Sequence, residues 1–131
     1  MVVTVHDILQ LPILQNCFIL TGDAGLQNTV KQIGILDYEY TENMQNIFQP
    51  QELVISSCLF AKNNEALLFA AIRQLIENHI SALGIKTIFF HQLSQDIISF
   101  AQEHHFCLFL FPTSLFFEDI ITQASQLLHL E

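Results

Sequence analysis

Basic residues are scarce in this sequence: four Lys and Arg stand against thirteen Asp and Glu among 131 residues, and the formal net charge is −9. A protein holds nucleic acid mainly by neutralising phosphates with many Lys and Arg side chains. The cations here stand far apart, at Lys31, Lys62, Arg73 and Lys86. We therefore expect the chain to make no direct contact with nucleic acid.

Long hydrophobic runs are also missing, although 51% of the residues are hydrophobic and the mean hydropathy is +0.41. The densest apolar run, residues 106–111, has the length of a strand and falls far below the roughly 18 residues that a membrane-spanning helix needs. No basic segment followed by an apolar block opens the chain, as it would in a signal peptide. We expect a cytoplasmic protein without membrane contact, in which a ligand or partner covers part of the apolar surface.

Cysteine occurs three times, at Cys17, Cys58 and Cys107. The number is odd, the residues are far apart, and their neighbours are apolar, whereas a secreted disulfide framework is usually even and denser. A free cysteine packs as a small hydrophobic residue. The sequence therefore predicts buried free thiols in a reducing compartment.

Two short helices are predicted in the first half of the chain. Thr4 and Asp7 have the spacing of a capping box, which starts a helix that ends near Pro12. Thr41 is expected to cap a second helix, which Pro50 ends. Between these helices, apolar runs at 17–20 and 30–36 flank a glycine-containing turn. We interpret these runs as a β-hairpin or two nearby strands.

From residue 50 onward, apolar strands alternate with amphipathic helices. Contiguous apolar runs are typical of strands that are covered on both faces of a sheet, and they lie at 53–55, 82–85 and 106–111. Helical spacing of apolar residues follows each run, at 68–80, 94–104 and 117–128. This order predicts a single α/β domain with a largely parallel, mixed central sheet flanked by helices.

Hydroxyl groups and one ammonium group stand where the predicted strands end: Ser56 and Ser57, Lys86, and Thr113. Ligands of open α/β sheets bind outside the carboxyl ends of the strands. Lys86 is a candidate anchor for an anionic or carbonyl-bearing ligand; otherwise it is solvated or paired with an acid. The hydroxyl groups either contact the ligand or serve turns and helix caps.

No pattern in the chain indicates catalysis, a metal site or a cofactor. His104 and His105 are adjacent, so a regular helix turns them about 100° apart, whereas metal-ligand pairs lie four residues apart. Cys58 has no neighbouring His or basic residue that would favour the thiolate. Asp37 and Glu39 are either an acid–base pair or, more typically for clustered carboxylates, a solvated edge. We expect no enzymatic activity.

Several aromatic residues fall off the helical stripes or next to strand ends: Tyr40, Phe60, Phe89, Phe90 and Phe116. They either pack over the ends of the sheet or line a pocket for a flat ligand or a dimer interface.

Short motifs along the chain resemble the N-terminal regulatory domain of the purine catabolism regulator (PucR)-like family. Residues 4–14, TVHDILQLPIL, are similar to its opening "TVxDLLxLPxL". Further likenesses follow in the family's order: the turn at 22–30, ELVISS at 52–57, ALGIK at 82–86 and the strand at 108–112. The resemblance covers residues 4 to 125.

Three positions depart from the family pattern. Cys58 stands where the family usually has Gly, Thr113 where it has Trp, and the segment 34–37 lacks a His that is often present. These positions lie near the predicted ligand crevice, so the identity of the ligand does not carry over.

The resemblance implies that residues 1–131 are a sensor domain, placed before a C-terminal helix-turn-helix that these residues do not include. It implies a small metabolite as the signal, with purine-related compounds among the candidates. The alternative is a dimerisation or protein-interaction module without a ligand, and a homodimer is compatible with either function.

Overall fold

The computed structural model describes residues 2–36 and 47–129. Within these residues the elements are α1 (Val5–Leu9), β1 (Phe18–Ile19), β2 (Gln32–Ile35), β3 (Glu52–Ser56), α2 (Glu65–Glu77), β4 (Ala82–Lys86), α3 (Gln95–Glu103), β5 (Cys107–Phe111) and α4 (Phe117–Leu128). Single turns of 3-10 helix lie at Pro12–Leu14 and Leu59–Ala61. The helix predicted from Thr41 falls on residues outside the described ranges. None of the described helices has the length and apolar character to cross a membrane.

The strands form a sheet in the order β1-β5-β4-β3-β2. Strands β2 to β5 run parallel to one another, and β1 pairs antiparallel with β5. The predicted α/β class with a largely parallel, mixed sheet is therefore confirmed. The interpretation of 17–20 and 30–36 as a hairpin or nearby strands is wrong, because β1 and β2 lie at opposite edges of the sheet. Each pairs with a strand distant in sequence, and no local pattern encodes that partner.

Helices α2 and α3 cover one face of the sheet, and α1 and α4 cover the other. Side chains along β4 alternate accordingly: Leu83 and Ile85 face α2 and α3, while Ala82 belongs to the opposite core. Gly84 leaves room for the Phe109 ring, since an added Cβ would lie 2.4 Å from a ring carbon. Burying one large apolar side chain contributes about 1.5–3 kcal/mol, so the two cores hold the sheet firmly between the helix layers.

The capping box predicted at α1 is present. The Asp7 backbone N–H donates to Thr4 Oγ1 at 3.2 Å, and the Thr4 N–H donates to the Asp7 carboxylate at 2.9 Å. The N–H groups of Val5 and His6 donate to carbonyls of the 22–28 turn at 2.9 Å each. These bonds fix the first helix to the turn that precedes β2.

Candidate functional site

The carboxyl ends of β3, β4 and β5 lie along one edge of the sheet, here named the carboxyl edge. The strand register pairs Ser56 with Ile85 and Lys86 with Phe111. Ser57 follows β3 directly, and Thr113 comes two residues after β5. The fold thus places all four predicted site residues at one edge, but their environments differ.

Ser56 is buried, and its hydroxyl group is used by the backbone. The hydroxyl donates a hydrogen bond to the Leu36 carbonyl and accepts one from the Cys58 N–H at 2.8 Å. Ser57 is also buried, whereas Thr113 is exposed. The Ser56 side chain therefore holds the turn after β3 against the end of β2, the role of a turn residue rather than of a ligand contact.

Cys58 has a backbone conformation that glycine, the residue expected there from the family resemblance, adopts readily. Its backbone is left-handed, with a φ of 58°, a conformation that glycine adopts without strain. All three cysteines are free thiols, as predicted, although Cys17 is only half-buried. Burial raises the pKa of Cys58 to about 12, against the opposing effect of the Ser56 hydroxyl. A thiol with that pKa stays protonated at neutral pH and is a poor nucleophile.

Lys86 is half-buried at the end of β4, and its ammonium group lies over two phenyl rings. Its Nζ is 5.5 Å from the ring centroid of Phe116 and 5.2 Å from that of Phe117. Lys62, after β3, lies in the same way 5.3 Å from the Phe89 ring. Neither lysine forms an ion pair with a carboxylate of the described residues. A cation over an aromatic face, without an acid beside it, keeps its charge available to an anion or a carbonyl group.

A cavity of about 270 Å³ opens at the carboxyl edge. Its walls come from the segment before and within β1, the loop after β4 and the end of β5: Asn16, Phe18, Thr87, His91, Leu110, Phe111 and Pro112. The predicted residues Lys86 and Thr113 are sequence neighbours of Thr87 and Pro112 and do not line the cavity themselves. The Thr87 hydroxyl donates to the Phe111 carbonyl at 3.3 Å, which ties the ends of β4 and β5 together.

Sequence reasoning missed Asn16, Phe18 and His91 as lining residues. Phe18 reaches the carboxyl edge because it pairs with Leu110 across the antiparallel contact of β1 and β5. The only signal in the sequence was an aromatic residue in a short apolar run, and nothing local connects that run to a strand about 90 residues later.

Two of the aromatic residues singled out in the sequence pack over the core, and the role of the others stays a prediction. Phe60 and Phe90 pack against the core beneath α2 and α3. Phe89 lies under a lysine, and Phe116 is exposed. Tyr40 lies outside the described residues, as do Asp37 and Glu39.

His104 is the C-cap of α3, so the predicted helix end at the histidine pair is present. In the part of the chain that the structure describes, no group of three His, Cys, Asp or Glu is placed to hold a metal ion.

The arrangement is that of an open α/β domain: a mostly parallel sheet between two helix layers, with a cavity of about 270 Å³ outside the strand ends. The chain belongs to the purine catabolism regulatory protein-like family, whose model matches residues 7–128. The family expected from the sequence motifs is thereby confirmed.

Two known proteins show how far the similarity extends. The purine catabolism regulatory protein of Bacillus subtilis (strain 168) is 23% identical over 116 residues, which are 88% of this chain and 21% of that protein. The chain therefore spans about a fifth of that relative. The crystal structure of the CBS and DRTGG domains of the regulatory region of Clostridium perfringens pyrophosphatase, complexed with the activator diadenosine tetraphosphate, superimposes with a TM-score of 0.51. At 16% identity, over 88% of this chain and 44% of that one, this likeness shows the fold alone.

Proposed function

We propose that this chain is the ligand-sensing domain of a transcriptional regulator, in which a small metabolite bound at the carboxyl edge controls an attached DNA-binding domain. The observation that carries the proposal is the cavity of about 270 Å³ at that edge, beside the end of β4, whose last residue, Lys86, forms no ion pair with a carboxylate of the described residues. Membership of a family named for a regulatory protein supports a regulatory role. The Bacillus relative, of which the matched segment is 21%, has ample length for a DNA-binding part.

The residues at the carboxyl edge suit a ligand with a flat ring and an anionic or carbonyl group. Lys86 supplies the positive charge, and the hydroxyl groups of Ser57 and Thr113 add polar contacts. Phe18 offers an aromatic surface for the ring, while Ser56 contributes indirectly by fixing the turn. Purine-related metabolites combine these features, and the solved neighbour with the same fold was crystallised with a nucleotide activator.

Binding at this edge would act on the attached domain through a shift in population. A ligand changes a conformational equilibrium only by its difference in affinity for the two states. The cavity joins β1, the loop after β4 and the end of β5, so a ligand there favours the arrangement in which these three segments lie together.

Thermal unfolding with purines, ureides and amino acids tests the proposal. A compound at 100 times its Kd adds about 2.7 kcal/mol to the free energy of unfolding.

We expect Lys86→Met to weaken binding at least tenfold, because the charge is lost while the aliphatic stem stays over the rings. Lys31→Met, at an exposed position before β2, is the matched control and should bind as wild type. Absence of stabilisation by every compound, or equal binding by both variants, would refute ligand sensing at Lys86.

A dimerisation module without a ligand is the second candidate, because exposed apolar side chains gather at the carboxyl edge. Phe18 is 64% exposed, Phe116 57%, Ile88 45% and Leu59 43%. Sedimentation of the chain tests this function: the double variant Phe18→Ser, Phe116→Ser should dissociate a dimer, while Val2→Ser should not. A wild-type chain that remains monomeric at all concentrations rejects it.

A further inference from the structure

Another cavity, of about 250 Å³, lies at the amino ends of β4 and β5, at the other end of the strands from the carboxyl edge. Its walls are the C-terminal ends of α2 and α3, the residue before β3 and the segment 28–29. We name it the amino-edge cavity. Its polar lining residues include Asn28, Gln51, His79, Ser81, His104 and His105.

Three residues of the amino-edge cavity have a left-handed backbone although none is glycine: Gln51 (φ 67°), His79 (φ 62°) and His105 (φ 55°). Only five such residues occur in the part of the chain that the structure describes. His79 and His105 occupy equivalent positions, each directly after the C-cap of its helix, where glycine is the usual residue. A non-glycine residue in this conformation is strained, and such strain gathers at ligand-binding sites. The imidazole side chains therefore give a reason for the absence of glycine.

The walls of the cavity are held in place by hydrogen bonds. The Asn28 side-chain N–H group donates to the Ser81 carbonyl at 3.1 Å and to the His105 carbonyl at 2.8 Å. The Ser81 hydroxyl donates to the Thr29 carbonyl. The turn before β2 is thereby tied to the starts of β4 and β5, so the cavity is formed before a ligand enters.

The cavity is polar, and Lys, Arg, Asp and Glu are absent from its described lining residues. The His104 ring stacks on Phe100, with centroids 4.3 Å apart. None of the three imidazoles makes a hydrogen bond with another described residue. A neutral imidazole offers one donor and one acceptor. A charged ligand would meet no Lys, Arg, Asp or Glu among these lining residues, whereas a neutral ligand with both donors and acceptors would be matched.

We propose that the amino-edge cavity binds a neutral, polar small molecule of nucleobase size, such as a heterocycle or cyclic amide with donors and acceptors along one edge. His79 and His105 hold it from the ends of α2 and α3, and Gln51 closes the third side. The site is separate from the carboxyl edge, so evidence against ligand binding at one site is not evidence against binding at the other.

NMR titration of the isotopically labelled chain with uracil and hypoxanthine, which are neutral, tests the proposal. Orotate, the uracil ring with a carboxylate, is the charged comparison. We expect uracil or hypoxanthine to shift the amide signals of residues 79 and 105, and orotate to bind at least tenfold more weakly than uracil. The amides of residues 18, 87 and 110, which line the carboxyl-edge cavity, report binding at the other site and should not shift with uracil.

Two glycine variants separate the strain from the binding. His79→Gly and His105→Gly relieve the backbone and remove an imidazole, so we expect melting temperatures a few degrees higher and probe binding at least tenfold weaker. Asn63→Gly is the matched control, because Asn63 is also left-handed (φ 61°) and exposed but does not line the cavity. It should gain stability and bind the probes as wild type does.

Each contrary result has a distinct meaning. Failure of both neutral probes to bind, or unchanged affinity in both histidine variants, overturns the site. Equal binding of orotate overturns the neutral ligand class. Lower melting temperatures of the histidine variants would show that the left-handed backbone is not strained at these positions. Probe-induced shifts confined to the amides of residues 18, 87 and 110 would place the ligand at the carboxyl edge and overturn the amino-edge site.

Discussion

Gly22 and Gly25 share a left-handed backbone, with φ values of 60° and 78°, but their surroundings differ. A Cβ added at Gly22 would meet no atom within 4 Å, whereas one at Gly25 would lie 2.5 Å from the Cys107 backbone nitrogen. We expect Gly22→Ala to cost about 1 kcal/mol of unfolding free energy, since only the backbone conformation is strained. Gly25→Ala should cost about 3 kcal/mol or more, because the start of β5 must also move. Urea denaturation measures both, and equal losses would contradict the packing at Gly25.

Glu52 is a buried acid at the start of β3, where its carboxylate accepts a hydrogen bond from the Gln49 backbone N–H. Burial raises the pKa of Glu52 above its ordinary value, against the lowering effect of hydrogen bonds from Gln49 and Gln32. The folded state therefore holds the proton more tightly than the unfolded state. The resulting stability is complete below the unfolded pKa of 4.5 and is lost as the pH rises through the folded-state pKa.

Glu52→Gln tests this pH dependence, because it keeps the hydrogen-bond acceptor and removes the charge. We expect the variant to exceed wild type in unfolding free energy at pH 7 and to lose most of that advantage near pH 4. Urea denaturation at the two pH values measures the difference. Glu77→Gln, at the exposed end of α2, is the control, and a larger gain at pH 4 than at pH 7 would reverse the argument.

Helix α1 shows how a short element depends on its cap. With five residues it is too short to be stable alone, and its two reciprocal capping bonds join Thr4 and Asp7. We expect Thr4→Ala to cost about 1 kcal/mol. Because the two bonds belong to one motif, Thr4→Ala with Asp7→Ala should cost less than the sum of the single losses. Additive losses in urea denaturation would show that the two bonds act independently.

At the scale of elements, the periodicity of apolar residues predicted the helices and strands after residue 50 well. Helix α2 and strand β5 come directly from local spacing, because burial on one stripe or on both faces leaves a mark in the sequence. Strands β1 and β2 were recognised as extended runs but wrongly placed together. Pairing between strands depends on residues distant along the chain, and the sequence of an apolar run does not identify the strand with which it pairs.

The whole molecule carries a formal charge of −9, which sets its behaviour toward nucleic acid. We expect no retardation of duplex DNA by the 131-residue chain in gel electrophoresis at ordinary salt, because too few cations are present to displace counter-ions. Retardation that persists at 0.2 M salt would mean that these residues bind DNA directly. It would contradict the proposal that this domain senses a ligand while an attached domain binds DNA.

The sequence by itself determined the α/β class, the order of most elements, the capping box and the family, because each is recorded in local spacing and residue type. It also located the carboxyl edge, since parallel strands must end on the same side. The tertiary structure decided the rest. It showed that the Ser56 hydroxyl is hydrogen-bonded to the backbone of a turn and that the Lys86 ammonium lies over two phenyl rings. It also showed that β1 contributes to the walls of the carboxyl-edge cavity. It also gathered three left-handed residues around the amino-edge cavity. These features arise from contacts between segments far apart in the chain, whose geometry no local pattern contains.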